Sequence, residues 1–179
     1  QNSVNSRNTL AAFAQRAAKI VARALHPLRN APPDGEREVF SQPREINRHL
    51  LDTLTKSDII PVIAPIGVGP KGETYNINAD TVAGAVAGAI GATRLLMMTD
   101  VSGVLDRKKT LIPDMKVSEA RALIKDGTVT GGMIPKLETC IAAVMGSAAA
   151  AVIIDGRIPH ALLLEIFTEP GMGTAIWPD

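Results

Sequence analysis

From residue 43 onward the sequence predicts an α/β fold: a three-layer α/β/α sandwich whose mostly parallel sheet is covered on both faces. Three observations lead there. Short apolar runs, Leu95-Leu96-Met97-Met98 and residues 150–154 the clearest, alternate with segments of helical periodicity. Turn residues, as in 67–72 and Asp126-Gly127, separate them. The segment 80–91 is almost wholly Ala, Gly and Val, small enough for a helix to lie close against a sheet.

In chain order, the spacing predicts a first helix over residues 9–29, with Thr9 as N-cap and Leu10, Phe13, Ala17, Ile20, Val21, Ala24 and Leu28 at three- and four-residue intervals. Pro27 ends or kinks it. Residues 30–38, containing Pro32-Pro33-Asp34-Gly35, read as a linker and place a boundary near residue 42. A helix over 46–56 then buries Ile46, Leu50, Leu51 and Leu54, and an apolar strand follows over 59–66. Lys71-Gly72 suits a hairpin leading into Glu73-Thr74-Tyr75. After the small-residue helix come a strand over 94–99, a helix over 118–125 capped by Ser118, a helix over 134–145 and a strand over 150–154. A helix over 159–167 and a strand over 174–177 complete the pattern.

The chain of 179 residues carries a formal net charge of +1, so no overall field draws it to nucleic acid or to an acidic membrane. Residues 1–33 hold Arg7, Arg16, Lys19, Arg23 and Arg29 and no acid. Such a segment suits an ordinary surface helix or an organellar targeting sequence, and the opening at Gln1 leads us to expect residues upstream. Cys140 is the single cysteine, so no internal disulfide forms, in keeping with a reducing, cytoplasmic setting. No apolar run reaches the roughly 18–20 residues of a membrane span.

Two turns, each before a helix, carry the residues most suited to chemistry: Asn76-Ile77-Asn78-Ala79-Asp80 and Gly131-Gly132-Met133-Ile134-Pro135-Lys136. Amides, a carboxylate and an ammonium at helix starts can hold anions and neutralise charge on a moving phosphoryl group. In an extended segment Asn76 and Asn78 point to one side, with Asp80 next if the extension persists. Turn hydrogen bonds, a capping aspartate and a solvated lysine explain the same residues without a ligand. A third run, Thr99-Asp100-Val101-Ser102-Gly103-Val104-Leu105, directly follows an apolar strand, where open α/β sheets bind ligands; a plain turn starting at Asp100 is its alternative. His160, Glu165, Glu169 and Gly171-Met172-Gly173 form a weaker group, equally readable as a helix face and a turn. His26 and His49 read as surface residues, and Cys140 as core on the Lys136 helix.

On the two loop motifs, residues 43–177 resemble the C-terminal nucleotide-binding lobe of the acetylglutamate kinases, within the amino acid kinase family. The resemblance implies ATP and Mg²⁺ as cofactors and N-acetyl-L-glutamate as the substrate phosphorylated on its γ-carboxylate, a step of arginine biosynthesis. It implies that Lys136 stabilises charge on the transferred phosphoryl group, that Asp80 orients Lys136, and that Asn76 and Asn78 contact acetylglutamate. Asp100, Val101, Ser102, Gly103, Val104 and Leu105, with Thr128, Val129 and Thr130, would line the nucleotide pocket. No residue is assigned as a metal ligand. L-arginine as an effector near the C-terminal group and a homo-oligomer follow from the same source.

Residues 1–42 carry none of these motifs, and no Lys-x-Gly-Gly or glycine-rich loop precedes Gly67. The expectation is therefore an incomplete kinase lobe behind a non-family helix and linker, without the substrate lobe and its second lysine. Loss of one charge-stabilising donor costs about 10²–10³ in rate, and loss of a substrate lobe more, so weak or no turnover is expected. The rival from another class is a non-catalytic nucleotide-binding or regulatory module.

Overall fold

The computed structural model describes residues 46–57, 59–68, 74–169 and 171–179. The helix expected over 9–29, the linker over 30–38 and the boundary near residue 42 lie outside them. The chain divides into two units between Ala79 and Asp80.

In the first unit, Asn47 starts helix α1 (Arg48–Lys56) by accepting a hydrogen bond from the Leu50 amide at 2.9 Å, the usual satisfaction of an orphan N–H. Leu51 is its buried residue. Strands β1 (Ile66–Val68) and β2 (Thr74–Asn76) pair antiparallel, Ile66 opposite Asn76, as the hairpin reading expected. The strand expected over 59–66 does not form: before Ile66 there is only an isolated bridge at Val62. Pro61 and Pro65 each lack an N–H, so this apolar run cannot sustain a ladder.

The second unit begins one residue into α2 (Ala79–Ile90), which stops where Gly91 turns to φ +63°. It continues through β3 (Leu95–Thr99), β4 (Asp114–Lys116), α3 (Val117–Lys125), α4 (Met133–Gly146), β5 (Ala151–Asp155), α5 (Ala161–Phe167) and β6 (Thr174–Trp177). The sheet order is β3-β5-β6-β4. The β3–β5 and β4–β6 pairs are parallel and the β5–β6 pair antiparallel. Two parallel ladders of three bear out the α/β, mostly parallel expectation.

Every residue of β5 is buried, as a strand covered on both faces requires. Ala151 and Ile153 join a core with Met97 of β3, Ile176 of β6 and Leu137, Cys140, Ile141 and Val144 of α4. Val152 and Ile154 alternate to the opposite face, where Ala161 of α5 is also buried outside that cluster. The small residues of α2 serve a different neighbour from the sheet expected. A Cβ on Gly84 would lie 2.5 Å from Thr139 Cγ2, and Gly146 would meet Gly88 Cα at 3.2 Å. The contact is therefore helix on helix, α2 against α4. Ser118 is not the cap of α3: Lys116 holds that position, its amide donating to Glu119 Oε2 at 2.7 Å. The Ser118 amide donates instead to Asp179 Oδ1 at 3.0 Å, an anion supplied from 61 residues away.

Candidate active site

Asp80 lies in the first turn of α2 and Lys136 in the first turn of α4. Their side chains meet, Nζ donating to Oδ2 at 3.0 Å. Two helix N-termini therefore converge on one spot, and their aligned peptide dipoles make that spot electropositive. Asp80 suits the dipole of its helix; Lys136 opposes its own and is held by Asp80. The Lys136 and Asp80 side chains remain 24% and 34% exposed respectively, so the ammonium can still reach a ligand. Ahead of it, Gly131 adopts φ +58°, and a Cβ on either Gly131 or Gly132 would meet nothing within 4 Å. That backbone is open to close approach.

The expected nucleotide runs differ residue by residue in what they can offer. Thr128-Val129-Thr130 leads straight into the glycine pair and so into Lys136. Asp100, Val101, Ser102 and Leu105 are exposed, as is Thr130, with Thr128 partly so. Val104 and Val129 instead belong to the buried core, and Gly103 is buried too. Those three can contribute backbone to a pocket wall, not side-chain contacts. The Thr99 hydroxyl donates to Asp100 Oδ1 at 3.1 Å.

Arg107 ties the two runs together, a role the sequence reading missed. Its Nε donates to Thr128 Oγ1 at 3.0 Å, and Nη2 lies 3.1 Å from Asp126 Oδ2. The Thr128 hydroxyl and amide, with Arg107 beyond them, hold the Asp126 carboxyl below its usual range.

Asp155 and Arg157 were also missed. Asp155 ends β5 opposite Thr99, so both sit at the C-terminal edge of a parallel pair. Arg157 grips Asp155 through Nε at 2.9 Å and Nη2 at 2.8 Å, and its amide adds a third bond at 3.0 Å. These bonds hold the Asp155 carboxyl down to about 2. The signal was present: Asp155-Gly156-Arg157 follows an apolar strand just as Asp100 does.

In the weaker group, Glu165 is buried and accepts from the Met172 amide at 2.7 Å, closing the loop after α5. His160 and Glu169 are exposed. Cys140 is fully buried, as expected of core. Burial, followed by the Asp80 charge, pushes its thiol up to about 12. Asn76 and Asn78 are exposed on either side of buried Ile77, matching the alternation expected, but the extension ends where α2 begins at Ala79. They lie in the first unit. Among the described residues no group of three or more His, Cys, Asp or Glu is placed to hold a metal, and no helix is long and apolar enough to cross a membrane.

The class is that of a mixed α/β domain with a lysine–aspartate pair at two helix starts, an arrangement suited to holding an anion. Comparison with known proteins makes this specific. A profile of the amino acid kinase family matches residues 3–155, and the chain belongs to that family. The match takes in residues 3–42, so the relationship runs further toward the N-terminus than the motifs reach. The chain is 63% identical to the acetylglutamate kinase of Rhodospirillum centenum over 134 residues, 75% of this chain and 44% of that protein. It is 56% identical to that of Parvibaculum lavamentivorans over 162 residues, 88% of this chain and 53% of that protein. The chain thus spans about half the length of the curated relatives it matches. Among solved structures, an N-acetylglutamate synthase from Neisseria gonorrhoeae, complexed with coenzyme A and N-acetyl-glutamate, superposes with a TM-score of 0.81 at 23% identity. That superposition covers 99% of this chain and 42% of the synthase. Carbamate kinase from Giardia lamblia bound to AMP-PNP gives 0.60 at 24% identity, over 77% of this chain and 46% of the kinase. Both likenesses concern the fold.

Proposed function

We propose that the protein transfers the γ-phosphoryl group of MgATP to the γ-carboxylate of N-acetyl-L-glutamate. The observation that carries this reading is the Lys136–Asp80 pair at the meeting of two helix N-termini. In such a transfer a carboxylate oxygen of the substrate forms the new bond to phosphorus as the bond to the β-phosphate oxygen breaks, and ADP leaves. No protein nucleophile is needed, so the residues act by alignment and charge neutralisation. Lys136 would neutralise the equatorial oxygens of the transferred group. Asp80 would hold the ammonium in place, and the open Gly131-Gly132 backbone would let phosphate approach. The two runs tied by Arg107 would form the nucleotide wall, with exposed Val101 and Leu105 suited to packing against the ring face of the base. Mg²⁺ would enter on the ATP phosphates, where it keeps several waters. The relatives' names support acetylglutamate as the substrate, and by the same resemblance Asn76 and Asn78 would contact it. L-arginine as an effector near His160, Glu165 and the 171–173 loop, a homo-oligomer and a cytoplasmic location complete the proposal.

A second reading, from another class, is a non-catalytic nucleotide-binding or regulatory module of the same fold. Titration calorimetry separates the two: an enzyme binds both MgATP and N-acetyl-L-glutamate, a module the nucleotide alone. In a coupled assay, acetylglutamate-dependent ADP release should vanish in Lys136→Ala. Undiminished release in that variant would remove Lys136 from the mechanism.

A further inference from the structure

The buried hydroxyl of Thr174 sits at the base of the segment that follows the first nucleotide run. Residues 104–112 fold back on themselves: the Ile112 amide donates to the Val104 carbonyl at 2.9 Å, and Leu105 bridges Leu111. Thr174 Oγ1 closes the open end of this small hairpin. It accepts from the Val104 amide at 2.8 Å and donates to the Ile112 carbonyl at 2.6 Å. The first contact is buried and the second partly buried, across 70 and 62 residues of sequence, from the first residue of β6. Thr174 and Val104 are each fully buried, so no water replaces the hydroxyl if it is lost. The neighbouring Gly103 is fitted to the same contact: at φ +141°, a Cβ there would lie 2.6 Å from Thr174 Oγ1.

We propose that Thr174 is a positioning residue for the nucleotide, fixing the Gly103-Val104 backbone so that Val101 and Leu105 present a formed wall to the base. This rests on the reading of residues 100–105 as nucleotide-binding. Thr174 touches no ligand itself. It acts through the loop, and β6 anchors that loop to the sheet through the parallel ladder with β4. A side chain with the same shape but no hydroxyl leaves the Val104 amide without a partner, so the loop detaches locally.

The test compares the wild-type chain with Thr174→Val, which keeps the shape, and Thr174→Ser, which keeps the hydroxyl. MgATP affinity is measured by calorimetry well below the lowest melting temperature, and exchange of the Val104 amide by NMR. Thr174→Val should bind MgATP roughly tenfold more weakly, the scale of one buried hydrogen bond, with faster Val104 exchange. Thr174→Ser should restore both to within about twofold of wild type, allowing for the lost methyl. Gly103→Ala, which presses on the same contact from the loop side, carries the test if Thr174→Val does not fold, and should weaken MgATP by at least as much. Wild-type binding with equal affinity in Thr174→Val, or in Gly103→Ala where that variant stands in, overturns the proposal alone. No MgATP binding by wild type, with the exchange pattern as expected, overturns the nucleotide reading and the role built on it.

Discussion

Asp155 and Cys140 carry the clearest consequences of local environment. The Arg157 fork keeps Asp155 ionised down to about pH 2, below its ordinary 3.8. Between those values the unfolded chain binds the extra proton, so stability rises with pH there. The contribution is complete above about pH 4 and disappears as pH falls through about 2. Acid unfolding followed by circular dichroism should show this, and Asp155→Asn should flatten the acid limb. Cys140, with its thiol near 12 and fully buried, should react with a thiol reagent at neutral pH only after denaturant opens the core. Lys136 and Asp80 were legible in the sequence because each sits at a recognisable helix start with glycines or amides beside it. Arg107, Asp155–Arg157 and Thr174 were not. Two of the three gain their roles from partners far along the chain, and the Asp-Gly-Arg turn was passed over despite its place after an apolar strand.

Among the described residues the helices were legible to within two residues at each end, since apolar spacing and glycine stops act locally. Strands fared differently. The run 59–66 had the composition of a strand, but its two prolines withheld ladder donors. The strand Asp114–Lys116 was invisible, with one apolar residue among three and its identity given only by pairing with β6. The Ala- and Gly-rich α2 was recognised while its neighbour was not: close approach can be read from residue size, but the surface approached cannot. Gly84→Val tests the observed contact. Its side chain would press on Thr139 of α4, and overpacking of this kind costs about 1–3 kcal/mol. A lower denaturant midpoint at unchanged slope is the expected result; no shift would mean α2 and α4 are not in close contact.

At the level of the molecule, a family relationship reaching residue 3 accompanies a match that spans about half the length of the curated relatives. The C-terminal motifs announced the family because their chemistry constrains spacing. The first forty-two residues carry no such spacing, and only comparison with the family as a whole placed them. The central claim remains electrostatic: an ammonium, steadied by a carboxylate where two helices begin, meets the phosphates of a nucleotide. A calorimetric titration of MgATP into the wild-type chain, Lys136→Ala and Asp80→Asn tests it most directly. Saturable wild-type binding, weakened about tenfold or more in Lys136→Ala and to a lesser degree in Asp80→Asn, is expected from loss of a charge-assisted contact. Equal affinity in all three would contradict it.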